Sequence, residues 1–159
     1  MATQLEALLA LRRDAENVAK SALDVAASAC ARANEEQTRL IACWQEATHA
    51  LDRESRRWLE APATALQAVT REQYRRRLDD EVAGTARRGQ EHRSRVIAAA
   101  VAAENEARAA YTEAQRAREV AENVKERADA EEAKRADRRA EDAAADQALA
   151  TFMRRPGQV

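Results

Sequence analysis

Aromatic residues, glycine and proline are all scarce in this chain. Its 159 residues include 3 Gly and 2 Pro, and aromatic side chains make up 3%. A compact core needs large side chains, each worth about 1.5–3 kcal/mol when buried, whereas the apolar fraction here consists mostly of alanine, with 41 Ala residues. This composition disfavours a compact globule and is typical of long helices or a coiled coil.

Features of membrane and secreted proteins are missing as well. The sequence contains no apolar run of the length that a transmembrane helix needs. Its first residues show no basic region followed by an apolar stretch and a cleavage site, so we expect no secretory signal. Cys30 and Cys43 would lie about 20 Å apart along one helix, too far for a disulfide. We therefore expect reduced thiols in a cytoplasmic protein.

Neither a one-sided charge nor a catalytic motif is present. Basic and acidic residues number 27 and 28, a balance that argues against a general nucleic-acid binder. The chain lacks the phosphate-loop, dinucleotide, paired-cysteine and zinc-protease motifs. His49 and His92 are isolated and are expected on solvated faces. An open helical rod also provides no pocket that would shift a carboxylate pKa, so the sequence favours an interaction protein without cofactor or metal over an enzyme.

Heptad spacing predicts a first long helix over residues 3–59. Thr3 and Glu6 fit a capping box at its start. Two apolar runs follow with alternating steps of four and three residues, which predicts a coiled-coil seam. These runs are Leu11, Ala15, Val18, Ala22, Val25 and Ala29, then Leu40, Trp44, Ala47, Leu51 and Trp58. The eleven residues from Ala29 to Leu40 predict a stutter between the runs.

A proline then separates this helix from the rest of the chain. Pro62 cannot lie inside a helix without losing a hydrogen bond. Thr64 and Thr70 are both candidate N-caps, so we expect a tip and a short helix over residues 60–88. Gly84 and Gly89 predict a kink or break at its end.

A second long helix is predicted over residues 90–152, before a disordered tail at residues 154–159. Its predicted seam consists of Val96, Ala100, Ala103, Ala107, Ala110, Ala114, Ala117, Ala121, Val124 and Ala128. Together the elements predict an all-α fold, a single elongated domain built as a long antiparallel two-helix coiled-coil hairpin with a short helical, proline-marked tip. The C-terminal helix should extend beyond its partner.

Three surfaces are candidate interaction sites. Near the tip, Tyr74, Leu78 and Val82 share one helix face and either pack the turn or offer an apolar stripe to a partner. The run from Arg71 to Leu78 is basic, but the acidic residues that follow favour a solvated face or an acidic protein partner over nucleic acid. The last surface combines the leucines near the N-terminus with the apolar residues Leu149, Phe152 and Met153, which either close the hairpin or bind a partner.

Each end of the chain carries a pattern of charged and apolar residues. The C-terminal pattern comprises Glu122, Val124, Lys125, Glu126, Arg127, Glu131, Glu132, Arg138, Arg139, Asp146, Ala148 and Phe152. The N-terminal pattern comprises Leu5, Leu8, Leu11, Arg12, Glu16 and Ala19. With these patterns the chain resembles the FliJ/YscO (SctO) stalk proteins of flagellar and virulence type III secretion systems. Gln147 departs from the glutamate that is usual in the family.

This resemblance implies a non-enzymatic central stalk, located in the cytoplasm and peripheral to the inner-membrane export apparatus. The end formed by both termini would enter a hexameric secretion ATPase, and the middle of the chain would reach the cytoplasmic domain of the export gate. Escort of secretion chaperones is a further role linked to the family. The residues expected to contact the ATPase are Leu5, Leu8, Arg12, Lys125, Arg127, Arg138 and Arg139. Those expected at the gate are Tyr74, Leu78 and Val82, by position and chemistry only.

Two other functions fit the same sequence. A peripheral-stalk or scaffold coiled coil would form a parallel dimer of one continuous helix, which the proline break disfavours. A nucleic-acid-associated coiled coil would use the basic run around Tyr74 and would bind with a steep salt dependence.

Overall fold

The structure, a computed structural model, describes residues 2–60 and 63–153, and the side chains from residue 4 onward in the first range. Three sequence predictions concern residues outside this description. They are the helix break at Pro62, the disordered tail at residues 154–159 and the capping role of the Thr3 side chain.

The described chain is helical, and the all-α prediction is confirmed. Helix α1 covers Ala2–Glu60 and helix α2 covers Ala65–Glu91. A π-helical segment, His92–Ile97, follows directly and continues into helix α3, Ala98–Met153. None of these helices, over the residues described, combines the length and apolarity that crossing a membrane requires.

Helix α2 begins at a capping box. The Thr64 hydroxyl accepts a hydrogen bond from the Gln67 backbone N–H (3.4 Å), and the Gln67 side chain accepts one from the Thr64 N–H (3.0 Å). Two backbone donors that the first helical turn cannot satisfy are thereby paired. Thr70, the other candidate cap, lies inside the helix, where its hydroxyl donates to the Leu66 carbonyl. The start of α2 is therefore fixed by Thr64.

The sequence predicted a kink or a short break at Gly84 and Gly89, and the break is wrong. Both glycines lie inside α2, and neither has a positive φ. The irregularity occurs after them, in the π-helical segment, where the backbone adds a residue to the turn without interrupting the helix. Helix propensity over the surrounding alanines and arginines outweighs the roughly 1 kcal/mol that each glycine costs.

The chain divides into two compact units. The terminal unit consists of Met1–Ala19 and Ala110–Val159, and the central unit is Lys20–Ala109. Helices α1 and α3 each contribute to both units, and α2 and the π-helical segment lie in the central unit.

The buried face of α1 differs from the prediction in both units. Val18 and Val25, from the predicted first run, are 70% and 68% exposed. Leu11, Ala15 and Ala22 are exposed as well, and only Ala29 of that run is half-buried. The residues that turn inward are Leu23, Ala26, Cys30, Ala33, Gln37, Leu40, Ala47, Leu51 and Trp58.

These inward residues follow one heptad register. Steps of four and three residues lead from Ala26 through Cys30, Ala33 and Gln37 to Leu40, so no stutter occurs between residues 29 and 40. The second predicted run shares this register and is confirmed except at Trp44, which is 41% exposed. The prediction followed the larger apolar side chains, whereas the helix buries alanine, cysteine and glutamine instead.

The buried face of α3 is also more polar than predicted. Ala100, Ala107, Ala114, Ala121 and Ala128 turn inward as expected. Between them, Glu104, Tyr111, Arg118 and Lys125 are half-buried. Of the remaining predicted seam, Ala117 is half-buried, whereas Val96, Ala103, Ala110 and Val124 are exposed. Long charged side chains can cover apolar surface with their stems while their head groups find partners. Alanine at every seventh position leaves room for them.

Candidate functional site

Ion pairs join α1 and α3 within the terminal unit. Lys125 lies 3.6 Å from Glu6, and Arg13 lies 3.3 Å from Glu122. The Arg118 guanidinium is 2.5 Å from Glu16 and 2.7 Å from Glu122. As residue numbers rise on α1 from Glu6 to Glu16, those of the partners on α3 fall. These residues form what we call the terminal ion-pair ladder.

The ladder changes the titration of its own groups. Hydrogen bonds from Arg118 and, to a smaller extent, from Arg13 hold the pKa of Glu122 below its ordinary value. Hydrogen bonds to Glu122 and Glu16 raise the pKa of Arg118. Both groups therefore stay charged at neutral pH, and the ladder keeps its alternating charges.

The residues predicted to contact an ATPase are divided between this ladder and the surface. Leu5 is half-buried, and Lys125 is half-buried and paired with Glu6. Leu8, at 40% exposure, and Arg12 are exposed. On α3, Arg127, Arg138 and Arg139 are exposed.

The last part of α3 has no buried face. Every residue from 129 to 153 is exposed, over a helical length of about 37 Å. We call residues 129–153 the exposed segment. It carries seven acidic and four basic residues, and the basic residues all precede Ala140. Near its end Leu149, Phe152 and Met153 are 61%, 78% and 78% exposed. The predicted extension of α3 beyond its partner agrees with this exposure.

The candidate gate residues do not share one accessible surface. Tyr74 is 50% exposed and Val82 is half-buried, but Leu78 is buried at 7% exposure. Leu78 therefore packs inside the central unit and is not available to a partner. The neighbouring basic run is partly neutralised, because Arg75 and Arg76 pair with Glu72 at 3.1 Å and 3.0 Å. The hydrogen bond from Arg75, followed by that from Arg76, lowers the pKa of Glu72.

A groove in the central unit was not predicted from the sequence. It has a volume of about 770 Å³ and is bounded by α1 on one side and by α2 with the π-helical segment on the other. The lining residues are Gln37, Leu40, Ile41, Trp44, Thr85, Ala86, Gly89, Gln90, Arg93 and Ser94. We call it the central groove. Two features of the sequence could have pointed to it. Trp44 follows Ile41 by three residues, and Gly89 lies inside an arginine-rich helix.

One polar contact joins the two walls of the central groove, and another polar side chain is satisfied within α2. His92 Nδ1 lies 3.0 Å from Gln37 Oε1, so the prediction that His92 is solvated is wrong, whereas His49 is exposed. Thr85 is buried, and its hydroxyl donates to the Glu81 and Val82 carbonyls at 2.9 Å and 3.0 Å.

The thiol of Cys30 on α1 is buried and contacts Glu104 on α3. Burial raises the pKa of Cys30, and a hydrogen bond to Glu104 raises it further. Cys43, by contrast, is exposed. Within the described ranges, no three or more His, Cys, Asp or Glu side chains are grouped so that they could bind a metal ion.

Comparison of the chain with family models, with curated proteins and with solved structures finds no match. Function is therefore inferred from the terminal unit and the central unit themselves.

Proposed function

We propose that this protein is a non-enzymatic central stalk of a type III protein-export ATPase, acting in the cytoplasm at the inner-membrane export apparatus. The exposed segment is the observation that carries the proposal. A helix of about 37 Å with charges on all sides and no buried face is suited to enter the central hole of a ring.

We further infer that α1 and α3 form an antiparallel coiled-coil hairpin. The order of the terminal ion-pair ladder supports this arrangement, because partners of Glu6, Arg13 and Glu16 occur in reverse order on α3. The heptad steps of the buried residues on both helices support it as well.

The contact with the ring would be polar and exchangeable. Arg127, Arg138 and Arg139 on α3, with Leu8 and Arg12 on α1, are exposed and are the side chains that we assign to it. One asymmetric rod inside six equivalent subunits touches each subunit differently, so it stabilises different conformations around the ring and couples them. Exposed ionic contacts suit such a role because they are weak and are readily exchanged.

The contact with the export gate would use the central unit. Because Leu78 is buried, we assign the contact to Tyr74 and the exposed part of Val82, with Leu78 supporting them from inside. Escort of secretion chaperones remains a second role within the same proposal.

The proposal is tested by retention of the ATPase on immobilised protein. The full chain, incubated with lysate of its source cell, should retain a hexameric ATPase with a phosphate-binding loop, and a chain ending at Asp129 should lose it. Combined Arg138→Glu and Arg139→Glu should weaken retention about tenfold, because two attractive charges become repulsive. The matched control carries Arg56→Glu and Arg57→Glu, at two neighbouring exposed arginines of α1, and should retain the ATPase normally.

Two results would overturn this assignment. The first is equal ATPase retention by the full and shortened chains. The second is retention of nucleic acid alone, lost at high salt, which would favour the nucleic-acid-associated coiled coil instead.

A further inference from the structure

The central groove exposes large apolar side chains at its mouth. Ile41 and Trp44 are 44% and 41% exposed, and Leu40 and Ala86 also line the groove. Apolar surface that is grouped in a groove and rimmed by polar residues is typical of a docking site for an amphipathic helix.

Gly89 gives a second, independent indication. A glycine inside a helix costs about 1 kcal/mol relative to alanine, yet Gly89 has no positive φ. A Cβ added to it would meet only Gln37 Nε2, at an ordinary contact distance of 4.0 Å. Neither backbone conformation nor internal packing therefore requires glycine here. A glycine in the groove wall does permit close approach of another backbone from outside.

The charge around the groove limits what can bind there. Arg93 lines the groove, and Arg87, Arg88 and Arg95 fall within the same nine residues of sequence, against one acidic residue, Glu91. Among the residues that the structure describes, none of the four arginines has an ion-pair partner. A helix that docks beside them should therefore be acidic.

The chain itself carries a helix with these properties. From Ala140 to Met153 the exposed segment contains three acidic residues, Glu141, Asp142 and Asp146, and no basic ones. The exposed Leu149, Phe152 and Met153 follow on the next turns. Six of these fourteen residues are alanine, which allows the helix backbone to come close to Gly89.

We propose that the central groove binds residues 140–153 of the exposed segment of a second copy of this chain, with Leu149 and Phe152 against Ile41 and Trp44 and with the acidic residues facing Arg93. The contact is about 21 Å long, so we expect a small interface and a weak association. The proposal is independent of the stalk function, because it involves no other protein. It adds a self-associated state in which the exposed segment is covered.

Sedimentation equilibrium of the purified full chain tests this inference. The average mass should rise with concentration at about 0.05 M salt, and the association should weaken about tenfold or more at about 0.5 M salt. A chain ending at Asp129 should remain monomeric. Gly89→Leu should abolish association by filling the groove, whereas the matched Gly84→Leu, outside the groove lining, should associate normally. Circular dichroism of each variant verifies that helicity is retained.

A charge exchange identifies the contacting groups. Arg93→Glu and Asp146→Arg should each weaken self-association about tenfold, and a chain that carries both substitutions should recover it, because opposite charges then face each other again between copies. A full chain that is monomeric at all concentrations would overturn the inference. Undiminished association of the chain that ends at Asp129 would also overturn it, because the bound segment would have to lie elsewhere.

Discussion

The guanidinium of Arg118 lies 2.5 Å from the carboxylate of Glu16, although 102 residues separate them in the sequence. Their side chains are only 26% and 16% exposed, so water screens this pair less than it screens the ion pairs on the helix surfaces. With Arg13 and Glu122 close by, the contact links α1 to α3 by charge at positions where a coiled coil usually has apolar residues.

Glu16→Gln should lower the midpoint of thermal unfolding, because it leaves the half-buried Arg118 with one carboxylate instead of two. The decrease should be larger at low salt than at high salt. Thermal unfolding followed by circular dichroism measures both values. Asp14→Asn, which removes an exposed carboxylate two residues away, is the matched control and should change little. Equal effects of the two substitutions would mean that the pair contributes no more to stability than an exposed carboxylate does.

Acid should weaken the terminal unit through Glu122. The folded chain holds the pKa of this carboxyl below its ordinary value of 4.5, chiefly through Arg118. Its contribution to stability is therefore present above the unfolded pKa and is lost as pH falls through the folded pKa. Unfolding midpoints of the natural chain and of Glu122→Gln, measured from neutral pH to about pH 3, should differ most at neutral pH and converge in acid. A constant difference would contradict this linkage.

The buried register of α1 can be tested with two leucines. Leu9 is 7% exposed and Leu11 is 67% exposed. Leu9→Ala should reduce the free energy of unfolding by about 2 kcal/mol, whereas Leu11→Ala should change it by less than about 0.5 kcal/mol. Urea denaturation of both variants makes the comparison. A larger loss of stability for Leu11→Ala than for Leu9→Ala would favour the register predicted from the larger apolar residues.

Gly84→Ala should stabilise the protein. Gly84 has no positive φ, and an added Cβ meets no atom within 4 Å. Alanine should therefore raise the free energy of unfolding by up to about 1 kcal/mol through helix propensity alone. Urea denaturation should give a higher midpoint with an unchanged slope. A lower midpoint would show that the space around Gly84 is occupied.

The capping box of α2 gives a further test. Thr64→Ala removes the side-chain oxygen that accepts from Gln67, and it should cost about 1 kcal/mol of stability. Thr70→Ala, on an exposed position inside the helix, is the control and should be neutral or slightly stabilising, because alanine is the better helix former. Hydrogen exchange of the first amides of α2 should become faster only in the Thr64 variant.

Composition alone was sufficient to predict the helices, because alanine, glutamate and arginine favour helix and few glycines or prolines interrupt it. The heptad register was not predictable in the same way. Between Thr3 and Cys30 two faces of α1 have heptad spacing, and the one with Leu11, Val18 and Val25 is the more apolar. The helix buries the other face, which contains Leu9 and Cys30 and on which Glu16 pairs with Arg118. A partner 102 residues away cannot be recognised from a local pattern.

The central groove could not be predicted from the sequence either. It depends on the π-helical segment, His92–Ile97, and on the side of α1 that Gln37 and Trp44 face. Neither follows from residue spacing, because a π-helical turn adds a residue without a characteristic composition. The exposed segment was easier to anticipate, since its lack of large apolar residues already indicated a helix with little to bury.

Because Cys30 is buried and Cys43 is exposed, thiol labelling can measure local opening of the central unit. A thiol reagent should modify Cys43 at once, whereas Cys30, at 8% exposure and with its pKa raised by burial, reacts only when α1 separates from α3 around Glu104. The slower labelling rate, that of Cys30, then measures the free energy of this local opening. Because the two thiols occur in one chain, the fast reaction is an internal reference for the slow one, and no label has to be engineered.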